Sequence, residues 1–138
     1  MRKAAKTEGQ DGIVVRRHTP AQVRGNAAES LAEAFLQARG CRTLARQFRC
    51  KAGEIDLICL AGQTLIFVEV RMRGSARFGT AAESITISKR QRIVRAAQWW
   101  LAGPGRQHAQ RSCRFDVVAI DGSQHDAMQW LPGAFDAS

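Results

Sequence analysis

The four cysteines of this 138-residue chain, Cys41, Cys50, Cys59 and Cys113, form no Cys-x-x-Cys pair and have no histidine at zinc-ligand spacing. A zinc site is therefore not expected. Cys59 falls in an apolar run, where a thiol behaves as a small hydrophobe, and reduced thiols fit a cytosolic protein. Histidine is equally sparse: His18, His108 and His125 are scattered through polar stretches and make no triad or metal set. No apolar run approaches the roughly eighteen residues of a membrane span. The basic residues 1 to 6 are not followed by an apolar segment of signal-peptide length, so a soluble, cytoplasmic protein is expected. Internal repeats and low-complexity segments are absent too.

Acids are few, 12 against 21 Lys and Arg, and they are unevenly placed. Residues 71 to 114 carry ten basic residues and one acid, whereas residues 25 to 70 are balanced at five each. A basic segment beside an acidic one suits a polyanion held near bound cations; a solvated basic surface is the plainer reading. The length fits one domain. Residues 1 to 24, polar and basic, are expected to form a mobile arm, and residues 25 to 138 a single domain.

Helical periodicity starts at Asn26, with Ala28, Leu31, Ala32, Phe35 and Leu36 on one stripe and Gly40 as its stop. Residues 42 to 50 are a weaker strand candidate. Residues 54 to 60 and 64 to 72 are stronger, rich in Ile, Leu, Val and Phe around a Gly-containing turn. After a loop over 73 to 82, Ser88 is the expected N-cap of a second helix, with Gln91 at the capping-box position and Gly103-Pro104-Gly105 as its end. Ile93, Ala97, Trp100 and Leu101 form its apolar stripe, and Lys89, Arg92 and Arg95 its exposed side. Residues 114 to 121 read as a buried strand and 128 to 131 as a short closing one before Pro132.

Glu54, Asp56 and Glu69 lie within the two most apolar segments, where an unpaired charge costs several kcal/mol or more on burial. Gly at the first central position of a two-residue turn is the type II′ preference, so Gly62-Gln63 would pair Ala61 with Thr64. Outward from there Leu60 meets Leu65, Ile58 meets Phe67, and Asp56 meets Glu69. Like charges so placed repel, unless a divalent cation lies between them. A three-residue loop would instead set Asp56 against Val68 and dissolve the cluster.

Asp56, a turn, and Glu69-x-Arg71 are the parts of a Mg²⁺-dependent phosphodiesterase site, with the Val70 carbonyl as a further oxygen and Mn²⁺ as an alternative ion. Glu29, from the first helix, is a candidate third ligand. It is also the acid of an Asn26-x-x-Glu29 capping box. The competing account of the strand acids is ion pairing to arginines. Glu54 fits that account best, Asp116 fits a bond to backbone or Arg within the sheet, and Trp99, Trp100 and Trp130 are buried aromatics or base-stacking surfaces.

Gly53-Glu-Ile-Asp-Leu-Ile followed by Phe67-Val-Glu-Val-Arg-Met-Arg73 resembles the YraN-like family of small bacterial proteins. The order Glu29 and Ala32, Gly79, Lys89 and Arg114-Phe-Asp-Val-Val matches as well, so that the resemblance covers residues 24 to 135. That family is similar to the restriction-endonuclease-like superfamily, which includes Holliday-junction resolvases. The resemblance implies an α/β fold, a central mixed sheet flanked by helices in the order α-β-β-β-α-β. It carries the metal role to Asp56, Glu69 and Glu29.

The superfamily has lysine two residues after the second acid, and this chain has Arg71. A guanidinium stays protonated in proteins, so Arg71 can place a phosphate or a water but cannot be the general base. Lys89 or Lys51 is a displaced-lysine candidate. The expected activity is a Mg²⁺-dependent DNA endonuclease or resolvase-like nuclease, for which a homodimer would suit a symmetric junction, with Arg71, Arg73, Arg77, Lys89, Arg92 and Arg95 on nucleic acid. A non-catalytic nucleic-acid-binding module and a structural or protein-interaction domain are the alternatives.

Overall fold

The computed structural model describes residues 20–73, 81–122 and 127–137; the side chains of 20–25 and 73 lie outside that description, as does the expected arm up to residue 19. The elements run α1 (Pro20–Ala38), β1 (Arg42–Cys50), β2 (Gly53–Ala61), β3 (Thr64–Arg73), α2 (Ile87–Ala102), a short 3₁₀ turn (Arg106–His108), β4 (Cys113–Asp121) and β5 (Ala127–Phe135). The five strands form one sheet in the order β1-β2-β3-β4-β5. Every pairing is antiparallel except β3 with β4. Parallel neighbours need a long crossover, and α2 supplies it.

The two helices cover opposite faces of the sheet. Ala28, Ala32 and Leu36, spaced four apart, put the buried stripe of α1 against Leu57, Ile66, Val68 and Val118. On the other face Ile93, Ala97 and Trp100 of α2 meet Ile58, Phe67 and Phe115. Phe67 centres that layer, edge-on to Trp100 at 6.2 Å and stacked on Phe115 at 5.4 Å. Full burial of each such side chain is worth about 1.5–3 kcal/mol, so the strand cores fix which face each helix covers.

The β2–β3 hairpin has the expected register: Ala61 pairs with Thr64, Leu60 with Leu65 and Ile58 with Phe67. Gly62 takes φ +63°, and Gln63 is not among the positive-φ residues. This is the type II′ pattern, in which only the first central residue needs the left-handed region.

Three local expectations are corrected. Helix α1 begins at Pro20 rather than Asn26, so Asn26 is an interior residue and cannot cap it. Helix α2 is capped by Thr86, whose Oγ1 accepts from the Lys89 N–H at 3.0 Å, and Ser88 lies inside its first turn. Strand β5 runs on past Pro132 to Phe135. An edge strand tolerates a proline, and the register shift opposite Phe115 and Val117 absorbs the extra residues.

Candidate metal and phosphate site

Strands β2 and β3 part beyond the Leu57–Val68 pair, one step short of Asp56 and Glu69. In place of a backbone carbonyl, the Asp56 Oδ2 accepts the Val70 N–H at 2.8 Å. The carboxylate is thus wedged where the hairpin opens. Strands β1 and β2 are irregular beside this point: their pairing skips Gln47 and Asp56, and Gln47 sits at φ +49°. Ile55 packs toward α2 and Leu57 toward α1, although regular alternation would give them one face.

Asp56 consequently meets carboxyls from both sides. Glu69, on the α2 side of β3, is only 5% exposed. Burial first, then the Asp56 charge, raises its carboxyl to about 8 against the partial relief of Lys89 and Arg71. Glu29 reaches Asp56 from α1, and burial followed by the same charge raises it to about 7. One turn along α1, Glu33 goes the other way: its hydrogen bond from Arg46 Nε at 2.8 Å lowers it. Glu33 is a structural ion-pair partner, and Glu29 is not.

The capping-box account of Glu29 fails because Asn26 is inside the helix. Asn26 instead accepts from Gln47 Nε2 at 2.6 Å, and Gln47 also hydrogen-bonds Glu29. Gln47 is therefore a positioning residue that nothing in the sequence marks. Ser84 is another: its Oγ accepts from Arg71 Nη2 at 3.1 Å and donates to the Ala81 carbonyl at 2.6 Å.

Arg71 Nη1 and Lys89 Nζ each lie 3.7 Å from Glu69 Oε2. The displaced-lysine candidate thus stands at the acids, brought there by the first turn of α2. Lys51, Lys89 and Arg92 line a cleft of about 260 Å³ next to it. Arg92 and Arg95 are exposed on α2. Arg77 and the Arg73 side chain lie outside the described residues.

Other singled-out residues have structural partners. Glu54 is exposed and 4.0 Å from Arg49. Asp116 is bound by Arg114, Trp130 and the Gly133 N–H. His108 is buried, stacked on Trp100 at 5.9 Å, and accepts from Arg111 Nε at 3.0 Å. Among the described residues no helix is long and apolar enough to cross a membrane.

Among the described residues no three His, Cys, Asp or Glu side chains stand ready as a metal set. The three acids touch in sequence through Asp56 instead. Their donors are nonetheless all oxygen and crowded, the chemistry a hard divalent cation takes, with Arg71 and Lys89 as the cations beside Glu69. Because Glu69 holds a proton in the fold that the unfolded chain releases above about 4.5, its contribution to stability is full below that pH and is lost as pH rises toward 8. Glu69→Gln is expected to gain on the order of 3 kcal/mol relative to wild type between pH 5 and pH 9 without metal. Urea unfolding at both pH values reads this; parallel responses of the two proteins would contradict it.

The family described as Uncharacterised protein family UPF0102 matches residues 28–120. A UPF0102 protein of Hahella chejuensis is 50% identical over 111 residues, covering 80% of this chain and 88% of its own. One from Nitrosomonas europaea is 46% identical over 115 residues, covering 83% and 95%. A solved structure of a protein named SSO0001 aligns with TM-score 0.45 at 14% identity, over 86% of this chain and 55% of its own. The motifs around Asp56 and Glu69 fall within the matched span, and the chain belongs to the UPF0102 family, the YraN-like proteins.

Proposed function

We propose that this protein is a Mg²⁺-dependent endonuclease acting on DNA, with a restriction-endonuclease-like core formed by α1 to β4 and extended by β5. The observation that carries the reading is the meeting of Glu29, Asp56 and Glu69 at the opening of the β2–β3 hairpin, with Arg71 and Lys89 both 3.7 Å from Glu69. Acids holding protons near neutral pH are poised to exchange them for a cation.

Asp56 and Glu69 would hold the ion, and Glu29 would be its third ligand. Bound Mg²⁺ or Mn²⁺ supplies an activated water and offsets charge on the phosphate. Arg71, fixed by Ser84, places a phosphate oxygen and stays charged throughout. Lys89, its Nζ at the same distance from the same Glu69 oxygen as Arg71, is placed to reach that phosphate as well.

A non-catalytic nucleic-acid-binding module is the second reading, favoured by Arg71 where the superfamily has lysine. Supercoiled plasmid, a four-way junction and single strands incubated with Mg²⁺ or Mn²⁺ separate the two. Nicking that EDTA abolishes supports the nuclease. Binding without metal-dependent cleavage of any substrate leaves the module, and no nucleic-acid binding at low salt leaves a structural or protein-interaction role. Sedimentation with and without a junction tests the homodimer.

Metal uptake carries its own signature. Since Glu29 and Glu69 are raised to about 7 and about 8, Mg²⁺ affinity should climb steeply from pH 6 to pH 8 as binding displaces their protons. Calorimetry in buffers of different ionisation enthalpy counts those protons. Uptake without proton release would place the ion elsewhere.

A further inference from the structure

Beyond its first turn, α2 presents Arg92, Arg95 and Trp99 on one outward stripe, within about 60° of each other at about 100° per residue. Arg92 and Arg95 are exposed, and among the described residues no carboxylate pairs with either. Trp99 is 53% exposed, in contrast to its neighbour Trp100 at 4%. The Trp99 ring lies beside an open hollow of about 420 Å³ walled by Gln98, Ala102 and Gly103.

The stripe begins at the candidate site. Lys89 contacts Glu69 and shares its cleft with Arg92. The strand beneath lies unusually close: a side chain at Gly53 would come within 3.1 Å of the Arg92 Cβ and carbonyl oxygen. With about 1.5 Å rise per residue, Trp99 lies about 15 Å along the helix from Lys89. Cations followed by an exposed indole match phosphates followed by an unstacked base. Paired bases in a duplex do not offer that face.

Resting on the nuclease reading, we propose that α2 is the track of an unpaired strand leaving the cleavage site, with Arg92 and Arg95 on its phosphates and Trp99 stacked on one of its bases. The substrate class is then DNA in which a single-stranded segment adjoins a duplex.

Affinity for a short duplex bearing an oligothymidylate tail is compared with that for the same duplex blunt-ended, in EDTA, using the full chain. Wild type should prefer the tailed form. Trp99→Ala should weaken tailed binding roughly tenfold or more and erase the preference, while Trp99→Phe should keep most of it. Tailed DNA should also shield wild-type tryptophan fluorescence from acrylamide. Equal loss on tailed and blunt DNA, or no loss, overturns this inference while leaving the nuclease reading standing. Tight binding of neither DNA by wild type overturns both. A Trp99→Ala protein that changes only its sedimentation, with DNA affinity intact, assigns the ring to a protein contact and overturns the track.

Discussion

On the nuclease reading, Asp56→Asn will abolish metal-dependent cleavage while leaving the fold nearly as stable as wild type, and Asp56→Ala will abolish cleavage and lower stability as well. The distinction comes from the two jobs of one side chain. Asp56 Oδ2 accepts the Val70 N–H where the hairpin ladder has ended. An asparagine oxygen can accept that same N–H, but it brings no negative charge for a cation. Alanine leaves the amide without its acceptor, at a cost of about 1–3 kcal/mol. Removing the acid that touches both Glu29 and Glu69 takes away the centre of the site, and a fall in turnover of roughly a thousandfold or more is expected. Denaturant midpoints, calorimetry with Mg²⁺ and nicking assays on the three proteins check it. Full cleavage by Asp56→Asn would remove the nuclease reading, and equal stability of the two variants would remove the role given to the Val70 bond.

Asparagine should further relieve the free protein of one charge in a crowded cluster. Glu69 and Glu29 are both raised in part by Asp56, so each should titrate lower in Asp56→Asn. That makes the variant a test of cluster electrostatics independent of catalysis.

The legible part of this protein was the part set by local pattern. Alternating and continuous apolar runs gave β1 to β4, and Gly62-Gln63 gave the hairpin register, because a two-residue turn leaves the strands one way to pair. The register brought Asp56 and Glu69 together even though the backbone ladder stops short of them. Helix starts were less legible: Thr86 and Ser88 are both good caps, and the choice rests on where the chain enters from a turn far from either residue's own chemistry. Gln47 and Ser84 had no signal at all. Their roles come from a left-handed residue opposite Asp56 and from a turn folded under Arg71, both consequences of tertiary packing.

Asp116→Ala will cost about 3–5 kcal/mol of stability and leave Mg²⁺ affinity unchanged. Asp116 is fully buried and set in a similar apolar strand, yet its surroundings are opposite in kind. Arg114 binds it through two nitrogens at 2.8 and 2.9 Å, and Trp130 Nε1 and the Gly133 N–H each donate to it at 2.9 Å. The Trp130 and Gly133 donors fasten β5 to β4 across the register shift at Phe115 and Val117. Truncation strands the indole and amide N–H groups and leaves Arg114 without its partner, which is why the loss exceeds that of a single hydrogen bond. Asp116→Asn, able to accept from some of the donors, should lose less. Urea unfolding of both variants beside Mg²⁺ calorimetry decides the matter, and a metal defect in a folded Asp116→Ala protein would show that the two acids share a site. A carboxylate surrounded by donors serves the fold; one set among other carboxylates, as Asp56 is, marks the place where the nuclease reading puts its cation.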